Sequence, residues 1–114
     1  MRKTPIYSLS NSVSDWMAEH SGILYDEVLQ AVEESINSDM NFAKIPVVIL
    51  QSESGTTLFM LKSYEATIES LEKSLEWFVK EEEYEKAARV RDAKEIVVSS
   101  FNPFDKEEET FGFF

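Results

Sequence analysis

Five side chains recur at intervals of four, three, four and three residues: Tyr64, Ile68, Leu71, Leu75 and Phe78. This is the spacing of a helix that buries one seam against another helix. Ser63 stands where an N-cap belongs, so the pattern predicts a helix from there to about Lys80. A seam needs a partner, and the next residues supply one. Glu81 to Glu83 make a short acidic turn, and Tyr84 to about Val97 reads as a second helix. Together they predict an antiparallel helical hairpin over 64–97.

The rest of the chain must pack around that hairpin. Residues 1–11 read as an irregular lead. Ser12 caps a helix that puts Val13, Trp16, Met17 and His20 on one face. Ser21-Gly22 is expected to end it, with the glycine in the left-handed C-terminal position. His20 is expected to help cap carbonyls at that end. A second helix runs from Ile23 or Leu24 to Ile36, with Leu24, Val28, Val32 and Ile36 as its stripe and Glu27, Glu33 and Glu34 off it. Ile45 to Gln51 and Thr56 to Lys62 read as two strands around the turn Ser52-Glu53-Ser54-Gly55. The expected fold is α+β and helix-dominant. It has two N-terminal helices, a β-hairpin, a C-terminal antiparallel helical hairpin and a flexible tail, with one domain over 1–97 and the acidic, aromatic tail over 98–114.

Charge narrows the function classes. Acidic residues outnumber basic ones by 22 to 11, a formal net charge of -11. That field repels phosphate backbones and anionic membranes, so no direct nucleic-acid or membrane partner is expected. In particular, the helix pair over 13–36 carries Asp26, Glu27, Glu33 and Glu34 and is not read as a DNA-reading unit. There is no cysteine, which removes disulfides and thiolate metal sites and fits a cytoplasmic setting. Arg2 and Lys3 are followed by Thr4 and Pro5 and not by an apolar run, so no signal peptide is expected. His20 is the only histidine, and no carboxylate cluster or glycine-rich phosphate loop stands out. We therefore expect no enzyme, no catalytic residues, no cofactor and no metal.

The strongest motif is Glu82 to Asp92, EEYEKAARVRD, after the amphipathic run Ile68 to Val79. Over residues 68–96 the pair resembles the UVR motif, the helical hairpin of UvrB and UvrC that recurs in Clp-type ATPases and their adaptors. Tyr84 stands at the motif's aromatic position. Ala87 and Ala88 are its small pair, and Val90, Arg91 and Asp92 match its apolar-Arg-Asp step. Lys94 departs from it, standing where the motif usually places an apolar residue. The resemblance implies a protein-docking unit, with Tyr84, Ala88, Arg91 and Asp92 as partner-binding residues and a homodimer through the hairpin as one form of docking. From the residues alone, Leu71, Leu75 and Phe78 are expected to face Tyr84, Ala88 and Val90 or Arg91. An arginine buried there would need a carboxylate such as Glu72 or Glu76.

The C-terminal run DKEEETFGFF puts Phe111, Phe113 and Phe114 behind four acids. It is similar to the sliding-clamp-binding tails of T4-type phage polymerases and of the phage late-transcription coactivator. A looser likeness to that coactivator lies at Phe42 to Pro46. The resemblance implies a docking peptide whose partner is a sliding clamp or RNA polymerase, in a bacterial or infected host cell. The composite expectation is a cytoplasmic adaptor, a phage-encoded accessory factor in its sharper form. Three alternatives stay open: a structural protein that self-associates through the hairpin, a small hydrolase or nuclease subunit, which would need a carboxylate cluster around a metal, and a tail that folds back on the protein's own core.

Overall fold

A computed structural model describes residues 2–38 and 41–100. In chain order the elements are β1 (Ile6–Ser8), α1 (Val13–Glu19), α2 (Ser21–Asn37), β2 (Ile45–Ser52), β3 (Gly55–Leu61), α3 (Tyr64–Lys80) and α4 (Tyr84–Ser100). The fold is α+β and helix-dominant. Residues 101–114, where most of the expected tail falls, lie outside the described residues. Its expected start does not hold, because α4 continues through Val98 to Ser100.

The predicted caps are present. Ser12 Oγ accepts from the Asp15 N–H at 3.1 Å, and Ser63 Oγ accepts from the Ala66 N–H at 3.0 Å. His20 Nδ1 lies 3.0 Å from the Trp16 carbonyl at the end of α1, and its ring stacks on Trp16. Ser21-Gly22 acts differently from expectation. α2 already begins at Ser21, so Gly22 lies in its first turn. A Cβ at Gly22 would meet the Trp77 ring at 3.6 Å. That is ordinary van der Waals contact, so Gly22 is a first-turn residue beside Trp77 and not a left-handed cap.

The lead is not irregular throughout. β1 pairs in parallel with β2, aligning Ile6 with Ile49, Tyr7 with Leu50 and Ser8 with Gln51. β2 and β3 form the expected antiparallel hairpin, and Glu53-Ser54 is its two-residue loop. Gly55 closes the loop at a φ of 153°, a value that side chains rarely adopt. A bulge at Val47 breaks the alternation of β2. It lets Val47 and Val48 both face inward, and both are fully buried.

The helices lie on one face of this sheet. α2 packs on β2, and α3 packs on α2, α4 and β3. The core joins Val28, Leu29 and Val32 of α2 to Val48 and Leu50 of β2 and to Leu71 and Phe78 of α3. Thr67 is buried in α3, and its hydroxyl donates to the Phe42 carbonyl at 2.6 Å. Phe42 is itself fully buried, so of the segment likened to the coactivator Phe42 and Ile45 are core, while Lys44 and Pro46 are exposed.

A polar clamp holds β1 in place. Glu27 of α2 accepts from Arg2 Nη2 at 2.6 Å with one oxygen and from the Tyr7 hydroxyl at 2.5 Å with the other. Arg2 also donates to the Val47 carbonyl at 3.0 Å, at the bulge. The Arg2 and Glu27 side chains are each only 14% exposed. The bond to Glu27, then burial, pushes the Tyr7 hydroxyl up to about 12. An unfolded tyrosine ionises near about 10, so the contribution to stability is complete below that pH and is lost as pH rises toward about 12. Tyr7→Phe should cost about 1.5 kcal/mol at neutral pH and should flatten this alkaline loss. Urea midpoints of both proteins on either side of pH 10 check it; parallel pH profiles would exclude the clamp.

Candidate functional site

The helical hairpin closes through a tight turn. After α3, Glu82 adopts a φ of 58°, in the left-handed region. The Glu82 N–H donates to the Val79 carbonyl at 3.1 Å and the Glu83 N–H to the Phe78 carbonyl at 2.8 Å. These two bonds define a Schellman ending, in which glycine is the usual residue.

The face that α4 turns inward differs from the expected one. Ala87, Val90, Ala93 and Val97 are buried, spaced three, three and four apart. Tyr84 and Arg91 do not face Leu71 and Phe78. Tyr84 is 62% exposed, Arg91 is exposed, and Ala88 is half-buried. Arg91 therefore needs no carboxylate from α3. Its Nε lies 3.8 Å from Asp92 Oδ1, and both side chains are open to solvent. These two residues thus meet each other despite being adjacent in sequence. Glu72 pairs instead with Lys94 at 3.0 Å, at the position where the chain departs from the UVR pattern.

Tyr84, Ala88 and Arg91 nonetheless share one outward stripe of α4 at intervals of four and three, which Glu95 and Val98 continue. Asp92 lies beside it, in the groove shared with Ile36 of α2 and Ile96. The four hairpin residues singled out in the sequence are thus together on the outside. Phe111, Phe113 and Phe114 lie outside the described residues.

The acids of α2 have partners that local pattern did not reveal. Arg89 donates to both carboxylate oxygens of Glu33. Lys86 reaches Asp26 at 3.2 Å and Glu83 at 3.4 Å, and its ammonium lies 5.7 Å from the centre of the Phe78 ring. The bond to Asp26 holds Lys86 above its usual pKa, and the bond to Glu33 does the same for Arg89. α4 is tied to α2 by charge on one side and to α3 by apolar contact on the other.

A second surface lies on the sheet face that the helices leave uncovered. Its side chains form rows across the strands. Ile6, Ile49 and Leu58 make one, Pro46 and Met60 another, and Ser8, Gln51 and Thr56 a polar third. Ile6 is 56% and Leu58 46% exposed. Lys44 and Lys62 flank the Ile45–Leu61 pair at the apolar end, and both are exposed.

Among the described residues, no group of three or more His, Asp or Glu side chains is placed to hold a metal ion. No helix among them is long and apolar enough to cross a membrane. No family model, curated protein or solved structure matches this chain.

Two outcomes test the hairpin. Ala87→Leu should cost about 1–3 kcal/mol by overpacking, while Ala88→Leu, on the outer stripe, should stay within about 0.5 kcal/mol. The reverse order in denaturant melts would mean that α4 is rotated. Glu82→Gly should stabilise by up to about 1 kcal/mol, because it relieves a left-handed side chain and one of three consecutive acids. A lower urea midpoint for this variant would contradict the turn geometry.

Proposed function

We propose that the protein is a non-enzymatic adaptor that acts by contact with other proteins. The observation that carries this reading is the outward stripe of α4. An aromatic ring, a small residue, an arginine and a valine lie in line on a rigid helix, at Tyr84, Ala88, Arg91 and Val98. Tyrosine and arginine are over-represented among residues that dominate binding energy. None of the buried core depends on these four side chains. The resemblance to the UVR motif supports the same reading.

In the sharper form, the protein is a phage-encoded accessory factor of transcription or replication. Phe111, Phe113 and Phe114 then form a docking peptide for a sliding clamp or RNA polymerase. The setting is a bacterial or infected-cell cytoplasm. Charge favours a foreign partner over a second copy through the hairpin. Residues 12–38 and 63–100, which hold the helices, carry six basic against sixteen acidic residues, so two such surfaces repel each other.

Affinity capture from lysate separates the readings. Tyr84→Ser with Arg91→Glu should abolish capture of one partner while leaving the melt unchanged, since both side chains are exposed. Replacing Phe111, Phe113 and Phe114 by serine should abolish capture through the tail. Light scattering should give a monomer mass throughout. A dimer that the Tyr84/Arg91 variant dissociates would replace the adaptor with a self-associating protein.

A further inference from the structure

The charge of this protein is divided between its halves. Residues 2–11 and 41–62, which hold the sheet, carry Arg2, Lys3, Lys44 and Lys62 against Glu53 alone. The sheet is thus the basic part of a chain whose net charge is -11. Arg2 is taken up by Glu27. Among the described residues, no ion pair holds Lys3, Lys44 or Lys62. Beside Lys44 and Lys62 lie the apolar rows Pro46–Met60 and Ile6–Ile49–Leu58, with none of the described elements over them. Along β3 the order is therefore lysine, then apolar rows, then the polar row at the hairpin loop.

The chain itself contains a segment of matching chemistry and order. Residues 105–114 read DKEEETFGFF, acids first and aromatics last. The fold also brings the end of α4 toward the Lys62 end of β3. α3 and α4 each have 17 residues and run antiparallel, so Ser100 ends beside Tyr64, two residues after Lys62. The Lys94–Glu72 pair lies within two residues of that register. From Ser100 to Phe114 the chain can span about 45 Å. Glu109 to Phe113 is four residues, as is Lys62 to Leu58, so acids at the lysines would put the aromatics at the apolar rows.

We propose that the chain's own C-terminal segment, residues 105–114, docks on the open face of the sheet. Glu107 to Glu109 meet Lys44 and Lys62, and Phe111, Phe113 and Phe114 cover Met60, Leu58, Ile49 and Ile6. A tethered segment reaches this face at an effective concentration in the millimolar range, so weak contacts suffice. The contact does not rest on the adaptor reading. If that reading holds, the tail must leave the sheet to reach a partner, and the sheet competes for it.

Methyl NMR of the full-length chain tests this without any partner. Ring currents from docked phenylalanines should displace the methyl resonances of Ile6, Ile49, Leu58 and Met60. Phe111→Ser/Phe113→Ser/Phe114→Ser should return them to undocked positions and leave the core methyls of Leu29 and Val32 in place. The displacement should be independent of protein concentration. K44E/K62E should lower the docked-to-free ratio about two- to tenfold, and added salt should lower it in the wild type. Outer-face methyls that are the same in wild type and serine variant would overturn the proposal and leave the face to another molecule. Displacements that vanish on dilution would overturn it in favour of a second copy. Displacements that ignore K44E/K62E and salt would overturn the placement of the acids. Because capture and docking are read separately, loss of either leaves the other standing.

Discussion

The packing of α2 across β2 sets where every other element can go. Val28, Leu29 and Val32 are buried beneath the sheet, and α2 also touches α1, α3 and α4. Full burial of such side chains contributes about 1.5–3 kcal/mol each. The two flanks of the helix carry acids, and each flank recruits a different neighbour. Glu27 holds Arg2 and Tyr7 and with them β1, while Asp26 and Glu33 hold Lys86 and Arg89 and with them α4. Exposed pairs of the second kind are worth about 0.2–1 kcal/mol. The apolar stripe therefore supplies the stability, and the acids fix how the neighbours are oriented about it. The Glu27 clamp is the exception, because it is largely withdrawn from water and closes the sheet at its β1 edge.

What could be read from the sequence follows the range of each interaction. The cap at Ser63 and the hairpin β2–β3 are local patterns and stand within a residue of where the spacing puts them, while the α3 seam is shifted: Thr67 and Ser74 are fully buried beside Leu71 and Phe78, and Tyr64, Ile68 and Leu75 are only partly buried. β1 is three residues long and is held by an arginine, a glutamate and a parallel pairing more than forty residues away, none of which leaves a local trace. The inner face of α4 was obscured by composition. Its contact surface is built from alanine and valine, whose periodicity is weak beside the larger Tyr84 of the outer stripe. Asp26 and Glu33 read as solvated acids because their partners, Lys86 and Arg89, lie on a different helix. Tyr84, Arg91 and Asp92 are exposed and Ala88 is half-buried, so these four lie outside this protein's own core.

The same arrangement explains why one sheet face stays open. A three-stranded sheet presents two faces, and every helix here is committed to the same side. Covering the second would take another amphipathic element, and the described chain has none to spare. The alternation of β2 reflects this: the bulge at Val47 turns an additional valine toward the helices, while Pro46, Ile49 and Gln51 remain on the other side. An apolar row left outside in this way is a liability for edge-to-edge or face-to-face association. Lys44 and Lys62, beside the row, discourage a second copy of the same basic face.

The division of charge also refines the argument against nucleic acid. Net charge alone treats the molecule as uniformly acidic, but at physiological salt the field of a surface charge fades over about 8 Å. A phosphate near the sheet would meet lysines and would scarcely sense the acids of α3 and α4. What argues against a duplex is number and layout. Phosphate-dominated binding draws on roughly 6–10 cationic contacts, and this face offers Lys44 and Lys62 at one end, with hydrocarbon and neutral polar groups beyond. Few cations beside an apolar strip suit a ligand with few anions beside apolar groups, which describes an acidic peptide with aromatic anchors and not a polyanion. The local composition of the sheet, more than the total charge, is what the proposed docking draws on.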